Sequence, residues 1–262
     1  MHIRQSSMPD LERYEIAGIP TFESNGHEWS AIAYSIGRRE RIIPMKSKLT
    51  TLDAHDDMNP CKNVPPSEDA IIEKSITCGN FLPACIFAGF FNTVEWVVPP
   101  RLYNDEFSTP LDENAMLYTT EDWINFFTIG HRGMPVPSET PNEVNFRYRI
   151  CEPENMMIED VLGFDFDFYC PVRAIITAKD PISVFMSFRR GYSLPSYRRI
   201  EQYPSVDEVI MRVDTLCEIL ETQPRPKLIS FARSDTENAF ILPKYVMPIR
   251  NRLIENLTKI YR

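Results

Sequence analysis

Short apolar runs, each the length of a buried strand, alternate along the chain with segments whose apolar residues recur at helical spacing. Ile19 to Glu23 reads as a strand, His27 to Arg38 as a helix and Lys48 to His55 as a second strand. Ser67 to Lys74 is helical, with Ser67 as N-cap and Asp69 in the first turn. Phe81 to Phe91 reads as a buried apolar helix, and Val94 to Val98 as a third strand stopped by Pro99 and Pro100. The stretch from Arg101 to Glu154 is rich in Pro, Asn and Thr. It holds strand-like pieces at Met116 to Thr119 and Asn145 to Cys151, and a helix near Glu121 to Thr128. Val161 to Phe168 and Ile182 to Phe188 read as buried strands. In Ser205 to Glu221, the residues Val206, Val209, Ile210, Val213, Leu216, Cys217 and Leu220 fall on one helical stripe, which Pro224 and Pro226 end. Lys227 to Ala232 follows as a strand, and Val246, Ile249, Leu253, Leu257 and Ile260 mark a closing helix. Connections too long for hairpins predict an α/β fold: a mostly parallel sheet with helices on both faces, built as one domain over residues 1–262. Such sheets bind ligands beyond the carboxyl ends of their strands.

Composition narrows the function classes. The formal charge is −9, which disfavours a nucleic-acid backbone and favours a cation. The apolar stretch Phe81 to Phe91 is broken by Pro83 and is too short to span a bilayer, so no membrane partner is expected. The N-terminal residues Met1 to Pro9 contain no apolar signal core, from which a cytoplasmic location is expected. The 6 cysteines show no CxxC spacing and read as reduced core thiols. The 9 glycines form neither GxGxxG nor GxxxxGK[ST], which removes the dinucleotide fingerprint and the P-loop.

Two strand ends carry the chemistry. In the first, Asp53, His55 and Asp57 are spaced by two and would point the same way in extended chain. In the second, Asp165 and Asp167 share one side, while Phe164, Phe166 and Phe168 share the other and would pack in the core. Four carboxylates brought close together near neutral pH require a cation, because mutual repulsion and desolvation otherwise oppose their ionisation. Carboxylates with one or two imidazoles suit a fairly hard ion, Mn²⁺ ahead of Zn²⁺ or Fe²⁺. A lone DxH arises by chance and a lone DxD is often a solvated strand end. An EF-hand-like reading of Asp53, His55, Asp57 and Asn59 fails at Met58, where that loop needs Gly, and at Val64, where it needs Glu.

The Asp53-Ala-His55-Asp-Asp57-Met-Asn motif, followed about a hundred residues later by Asp165-Phe-Asp167, resembles the arginase, or ureohydrolase, superfamily. More closely, the chain is similar to an arginase-like branch that includes the peptide arginases, which convert arginine side chains of ribosomally made precursor peptides to ornithine. This likeness also involves Ile-Pro-Thr-Phe-Glu23-Ser-Asn-Gly-His27-Glu28, Cys-Gly-Asn80-Phe-Leu-Pro, Val-Glu-Trp96-Val-Val-Pro and Ser-Phe-Ala-Arg233-Ser234. The resemblance implies a three-layer arginase-like fold and two Mn²⁺ ions per chain. It implies that Asp53 and Asp165 bridge the ions, that His27 and Asp57 complete one site, and that His55 and Asp167 complete the other. His27 has a plain alternative as a residue at a helix start. The implied partner is an arginine-containing precursor peptide, and the implied reaction is release of urea, with Asp57 also a hydrogen-bond acceptor for the attacking nucleophile.

Three departures separate this chain from free-arginine arginases. The upstream His27 follows Asn-Gly, not Gly-Gly-Asp. No Ser-Gly-Asn-Leu-His stretch follows Asp57. The last strand ends in Arg233-Ser234-Asp235 without the usual substrate-binding Glu context. Loss of contacts to the α-amino and α-carboxylate groups is what a peptide substrate requires. The carboxylate that orients the guanidinium is left among Asp235, Glu237, Glu23 and Glu28. Hydrolysis of a small guanidino compound and a non-catalytic, metal-binding regulatory protein are the alternatives. A deacetylase stands behind them because the chain has no HH dipeptide. His131 reads as an exposed loop residue, Trp96 as core, and Arg189, Arg190, Arg198 and Arg199 as a basic, solvated loop.

Overall fold

A computed structural model describes residues 11–55, 57, 65–99, 116–118, 146–170, 173–176, 196–199, 203–235 and 240–262. Its strands are β1 (Leu11–Ile16), β2 (Ile19–Ser24), β3 (Ser47–Leu52), β4 (Phe91–Val97), β5 (Met116–Tyr118), β6 (Phe146–Cys151), β7 (Val161–Asp165), β8 (Arg173–Ile176), β9 (Ser196–Arg199) and β10 (Leu228–Ala232). The helices are α1 (Ser30–Arg39), α2 (Glu68–Ile72), α3 (Phe81–Phe87), α4 (Val206–Leu220) and α5 (Pro243–Ile260).

Eight strands form one sheet in the order β1-β2-β10-β7-β3-β4-β6-β5. The strands from β2 to β6 in that order run parallel, and β1 and β5 close the edges antiparallel. β1 and β2 form a hairpin whose two turn residues, Ala17 and Gly18, both have positive φ, the requirement of a tight turn matched to strand twist. Each sheet face is covered by its own apolar core. Leu49, Val94 and Val161 pack beneath α1 and α3 on one face; Leu52, Leu162, Phe164 and Phe231 pack beneath α4 and α5 on the other. The structure is thus a three-layer α/β fold with a mostly parallel central sheet, as the alternation of apolar runs predicts. Among the described residues no helix is long and apolar enough to cross a membrane.

Helix starts follow local rules. Ser67 caps α2 through the Ala70 amide, and Ser205 with Glu208 forms a capping box on α4. Several sequence-predicted boundaries move. Ser47–Leu52 ends before the first acidic motif, and Val161–Asp165 ends at Asp165, with Phe166–Phe168 a 3-10 turn. His27–Trp29 is likewise a 3-10 turn that precedes α1. The apolar segment from Phe81 divides into α3 and the start of β4. β1 and the separate β8–β9 ribbon have no counterpart in the hydropathy pattern, and Arg198 and Arg199 lie in β9 instead of a loop. The sequence-predicted elements at Glu121 to Thr128 and Ile182 to Phe188, together with His131, Arg189 and Arg190, fall outside the described residues.

A buried ion pair ties the sheet edge to the last helix. Glu23, 1% exposed at the end of β2, accepts both carboxylate hydrogen bonds from Arg250 Nε on α5, at 2.7 and 2.8 Å, and one from the Tyr14 hydroxyl on β1 at 2.7 Å. Removing one partner of such a pair strands the other charge away from water. Arg250→Ala is therefore expected to lower unfolding stability in urea by about 3 kcal/mol. A change within experimental error would show that Glu23 is held by its other partners.

Candidate metal centre

Parallel pairing delivers the acidic motifs to one place. In the order β2-β10-β7-β3, the carboxyl ends of four neighbouring strands lie side by side, and each leads into a residue of the site. β2 leads through Asn25 and Gly26 to His27, β3 leads to Asp53, β7 ends on Asp165, and β10 leads to Ser234. The chain runs outward in one direction from β3 through β4 to β6, and in the other from β7 to β10. The pair β3–β7 is therefore the switch point of the sheet, where open parallel sheets form their crevice.

Six side chains converge there. His27 Nδ1 lies 2.9 Å from Asp57 Oδ2, 3.0 Å from Asp53 Oδ2 and 3.2 Å from Asp165 Oδ2. His55 Nδ1 lies 2.8 Å from Asp167 Oδ2 and 3.6 Å from Asp53 Oδ1. The donors divide into two groups able to hold an ion, His27–Asp53–Asp57 and Asp53–His55–Asp167, with Asp53 common to both. Its two oxygens face opposite imidazoles. The structure thus gives the shared position to Asp53. Asp165 stands with the His27 group: its Oδ2 faces His27, while its Oδ1 accepts the Asp167 amide at 3.0 Å.

The donor set fits a metal. His27 is 2% exposed, and although three carboxylate oxygens surround Nδ1, none is placed to take a hydrogen bond from it. A buried imidazole nitrogen ringed by carboxylate oxygens, without a hydrogen bond to any of them, is a donor arrangement that suits a cation. Neutral imidazole and carboxylate oxygen also match a hard or borderline divalent ion.

The local chain bends to make this possible. Asp53, His55 and Asp57 lie past the end of β3, so strand alternation does not bring them together. Instead Asp53 Oδ1 accepts the His55 amide at 2.8 Å, Asp167 Oδ1 accepts the Ala54 amide at 3.2 Å, and Asp57 takes a left-handed backbone with φ 49°. Asp167 is carried in by the 3-10 turn, its amide donating to Asp165, and Phe164, Phe166 and Phe168 all enter the same core. Two supporting residues escape a motif reading. The Trp96 indole on β4 donates to the Asp53 carbonyl at 2.9 Å, and the Ser234 hydroxyl donates to Asp165 Oδ2 at 2.6 Å. The sequence places Trp96 in the core, and its role toward Asp53 depends on β4 lying beside β3. Phe81 packs at a tilt against His27 and Phe240 meets His55 edge-on, which walls both imidazoles with apolar surface.

The four candidates for orienting a guanidinium separate. Glu23 is taken by Arg250 and Tyr14 and does not face the centre as a free carboxylate. Asp235 lies 3.6 Å from Arg233. Glu237 is outside the described residues. Glu28 is half-buried on the same 3-10 turn as His27 and makes no ion pair among the described residues; its charge reaches Cys78 together with that of Asp57. Cys78 is half-buried, its thiol pushed up to about 12 by burial and these carboxylates, while Cys85, Cys151, Cys170 and Cys217 are buried.

No protein-family model matches the sequence, and no curated protein matches it. Among solved structures the chain is similar to the proclavaminate amidino hydrolase from Streptomyces clavuligerus, with 10% identity and a TM-score of 0.40 over 92% of this chain and 64% of that one. It is also similar to a hypothetical agmatinase from Burkholderia thailandensis, with 12% identity and a TM-score of 0.39 over 91% of this chain and 57% of that one. The chain thus spans about three fifths of the length of these two proteins.

The electrostatics of the metal-free centre set its response to pH. Burial alone would push His27 and His55 down, but the surrounding carboxylates outweigh it and hold both well above the ordinary histidine range. Burial and the neighbouring carboxylates raise Asp57, and they raise Asp167 to about 8. Without an ion these groups retain protons that an ion must displace, so raising the pH removes the competitor and tightens binding. Mn²⁺ affinity is expected to rise by more than about tenfold between about pH 6 and pH 8, with release of at least about one proton per ion. Calorimetry in two buffers of different ionisation enthalpy measures both quantities. An affinity flat with pH would contradict the charge arrangement described.

Proposed function

We propose that the protein is a ureohydrolase-type metallohydrolase that uses two Mn²⁺ ions to convert arginine side chains of a peptide to ornithine with release of urea. The observation that carries this reading is the pair of donor groups joined through Asp53 at the switch point of the sheet. His27, Asp53, Asp57 and Asp165 would hold one ion, and Asp53, His55 and Asp167 the other. When bound, such a pair supplies a nucleophile from water at neutral pH and a positive field for the negative charge that develops during attack.

The chain's own residues would do the rest. Glu28 is the carboxylate best placed to orient the cationic guanidinium, because Glu23 and Asp235 face arginines of their own. The guanidinium stays charged at every working pH, so it needs such a partner on leaving water. Phe81 and Phe240 would keep bulk water from the imidazoles. Asp57, held beside His27 in a left-handed backbone, would take a proton from the attacking water and return it to the side-chain nitrogen as the Cζ–Nε bond breaks and that nitrogen leaves as an amine. The peptide preference rests on the resemblance to peptide arginases and on the lack of a Ser-Gly-Asn-Leu-His stretch after Asp57. A peptide presents neutral amides where free arginine presents two charges that need partners.

Urea release tests the reading. An internal Arg residue is expected to show a higher kcat/KM than free L-arginine, with conversion read by mass spectrometry as loss of CN₂H₂ at that residue. Asp53→Ala, which removes the shared carboxylate, is expected to lower the rate by more than about 100-fold, beyond the usual effect of a supporting partner. Turnover of free arginine or another small guanidino compound with none on Arg peptides would move the reading to a small-molecule ureohydrolase. Metal uptake without urea from any of them would make the protein a metal-binding regulator.

A further inference from the structure

The turn that follows β10 reaches both halves of the centre. Ser234, 4% exposed, donates its hydroxyl to Asp165 Oδ2 at 2.6 Å, the same oxygen that faces His27 Nδ1. Its backbone sits in the left-handed region with φ 52°, a conformation that costs a non-glycine residue energy and persists where surrounding contacts hold it. Those contacts are on either side. The Arg233 amide donates to the Ser24 carbonyl at 2.9 Å, which anchors the turn to β2 just before the His27 segment. The Ser234 carbonyl accepts the Phe240 amide at 3.2 Å, and the Phe240 ring lies 5.2 Å from that of His55.

Asp165 consequently has little freedom. Its Oδ1 accepts the Asp167 amide, and its Oδ2 accepts the Ser234 hydroxyl, so both oxygens are held. The held Oδ2 lies 3.2 Å from His27 Nδ1, so it faces the His27 side. We propose that Ser234 is a positioning residue of the metal centre: by holding Asp165 Oδ2 on the His27 side, it orients that carboxylate toward the His27-side ion and thereby sets the affinity of that site independently of the His55-side site. The proposal rests on the two-metal reading above. Its physical basis is that partners of ligating carboxylates fix orientation and basicity, so their loss weakens metal binding without removing a ligand.

The experiment is a direct Mn²⁺ titration of the intact protein, with the free ion followed by electron paramagnetic resonance. Wild type, Ser234→Ala and Ser234→Gly are compared, each alone and combined with Asp167→Asn, which disables the His55 side. Glycine relieves the left-handed backbone and alanine does not, so a shared effect belongs to the hydroxyl. In both variants one of two ions is expected to weaken by about 10–100-fold while the other stays within about threefold, and the weakened ion is the one that survives Asp167→Asn. Unchanged binding, equal weakening of both ions, or an effect of alanine that glycine restores would each overturn the proposal while leaving the two-metal reading intact. A wild-type protein that takes up no Mn²⁺ would remove the two-metal reading and this proposal with it.

Discussion

Asp53 stands between two imidazoles, one buried and one half-buried, with one oxygen toward each, and three more carboxylates close around the same space. Burying that much like charge is unfavourable unless something positive joins it. Without an ion the imidazoles fill this role in part: they keep their protons, and Asp57 and Asp167 are driven up with Asp53 held down between His27 and His55. The same side chains are therefore a proton store when empty and a ligand set when filled. A divalent cation resolves the repulsion more completely than shared protons, since it neutralises several carboxylates at once.

The scaffold is organised around this constraint. Four adjacent parallel strands end at the same level, so residues far apart in sequence meet without long loops. Beneath them Gly163, in the middle of β7, admits the hydroxyls of Tyr34, Ser230 and Thr51, each within 3.2–3.3 Å of where a Cβ would stand. The Trp96 indole fixes the Asp53 backbone from one side, and the Ser234 turn fixes Asp165 from the other. Two non-glycine residues of the site, Asp57 and Ser234, adopt left-handed backbones. Strain concentrated at a site in this way is maintained by packing elsewhere, here the two cores and the Glu23–Arg250 lock.

The layer architecture was legible because apolar runs separated by helical segments have few ways to pack. The acidic motifs were legible because carboxylates spaced by two residues beside buried strands need a reason to be there. Strand alternation, however, does not place these residues. Asp53, His55 and Asp57 lie beyond β3, and amide-to-carboxylate hydrogen bonds and a left-handed turn aim them, none of which hydropathy encodes. Asp167 is placed by a 3-10 turn, not by the strand. Glu23 illustrates the opposite failure: a carboxylate at a strand end beside the motif is consumed by Arg250, a partner 227 residues away that no local pattern links to it. Ser234 was unreadable as a supporting residue because its role depends on β10 lying beside β7.

The central claim is that the two donor groups form one centre joined through Asp53. Electron paramagnetic resonance of the protein loaded with Mn²⁺ tests it directly. The account expects uptake of two ions per chain and, at full loading, the spectrum of an exchange-coupled pair that reverts to an isolated ion in Asp53→Ala. Two magnetically independent ions, or a single ion at saturation, would contradict it.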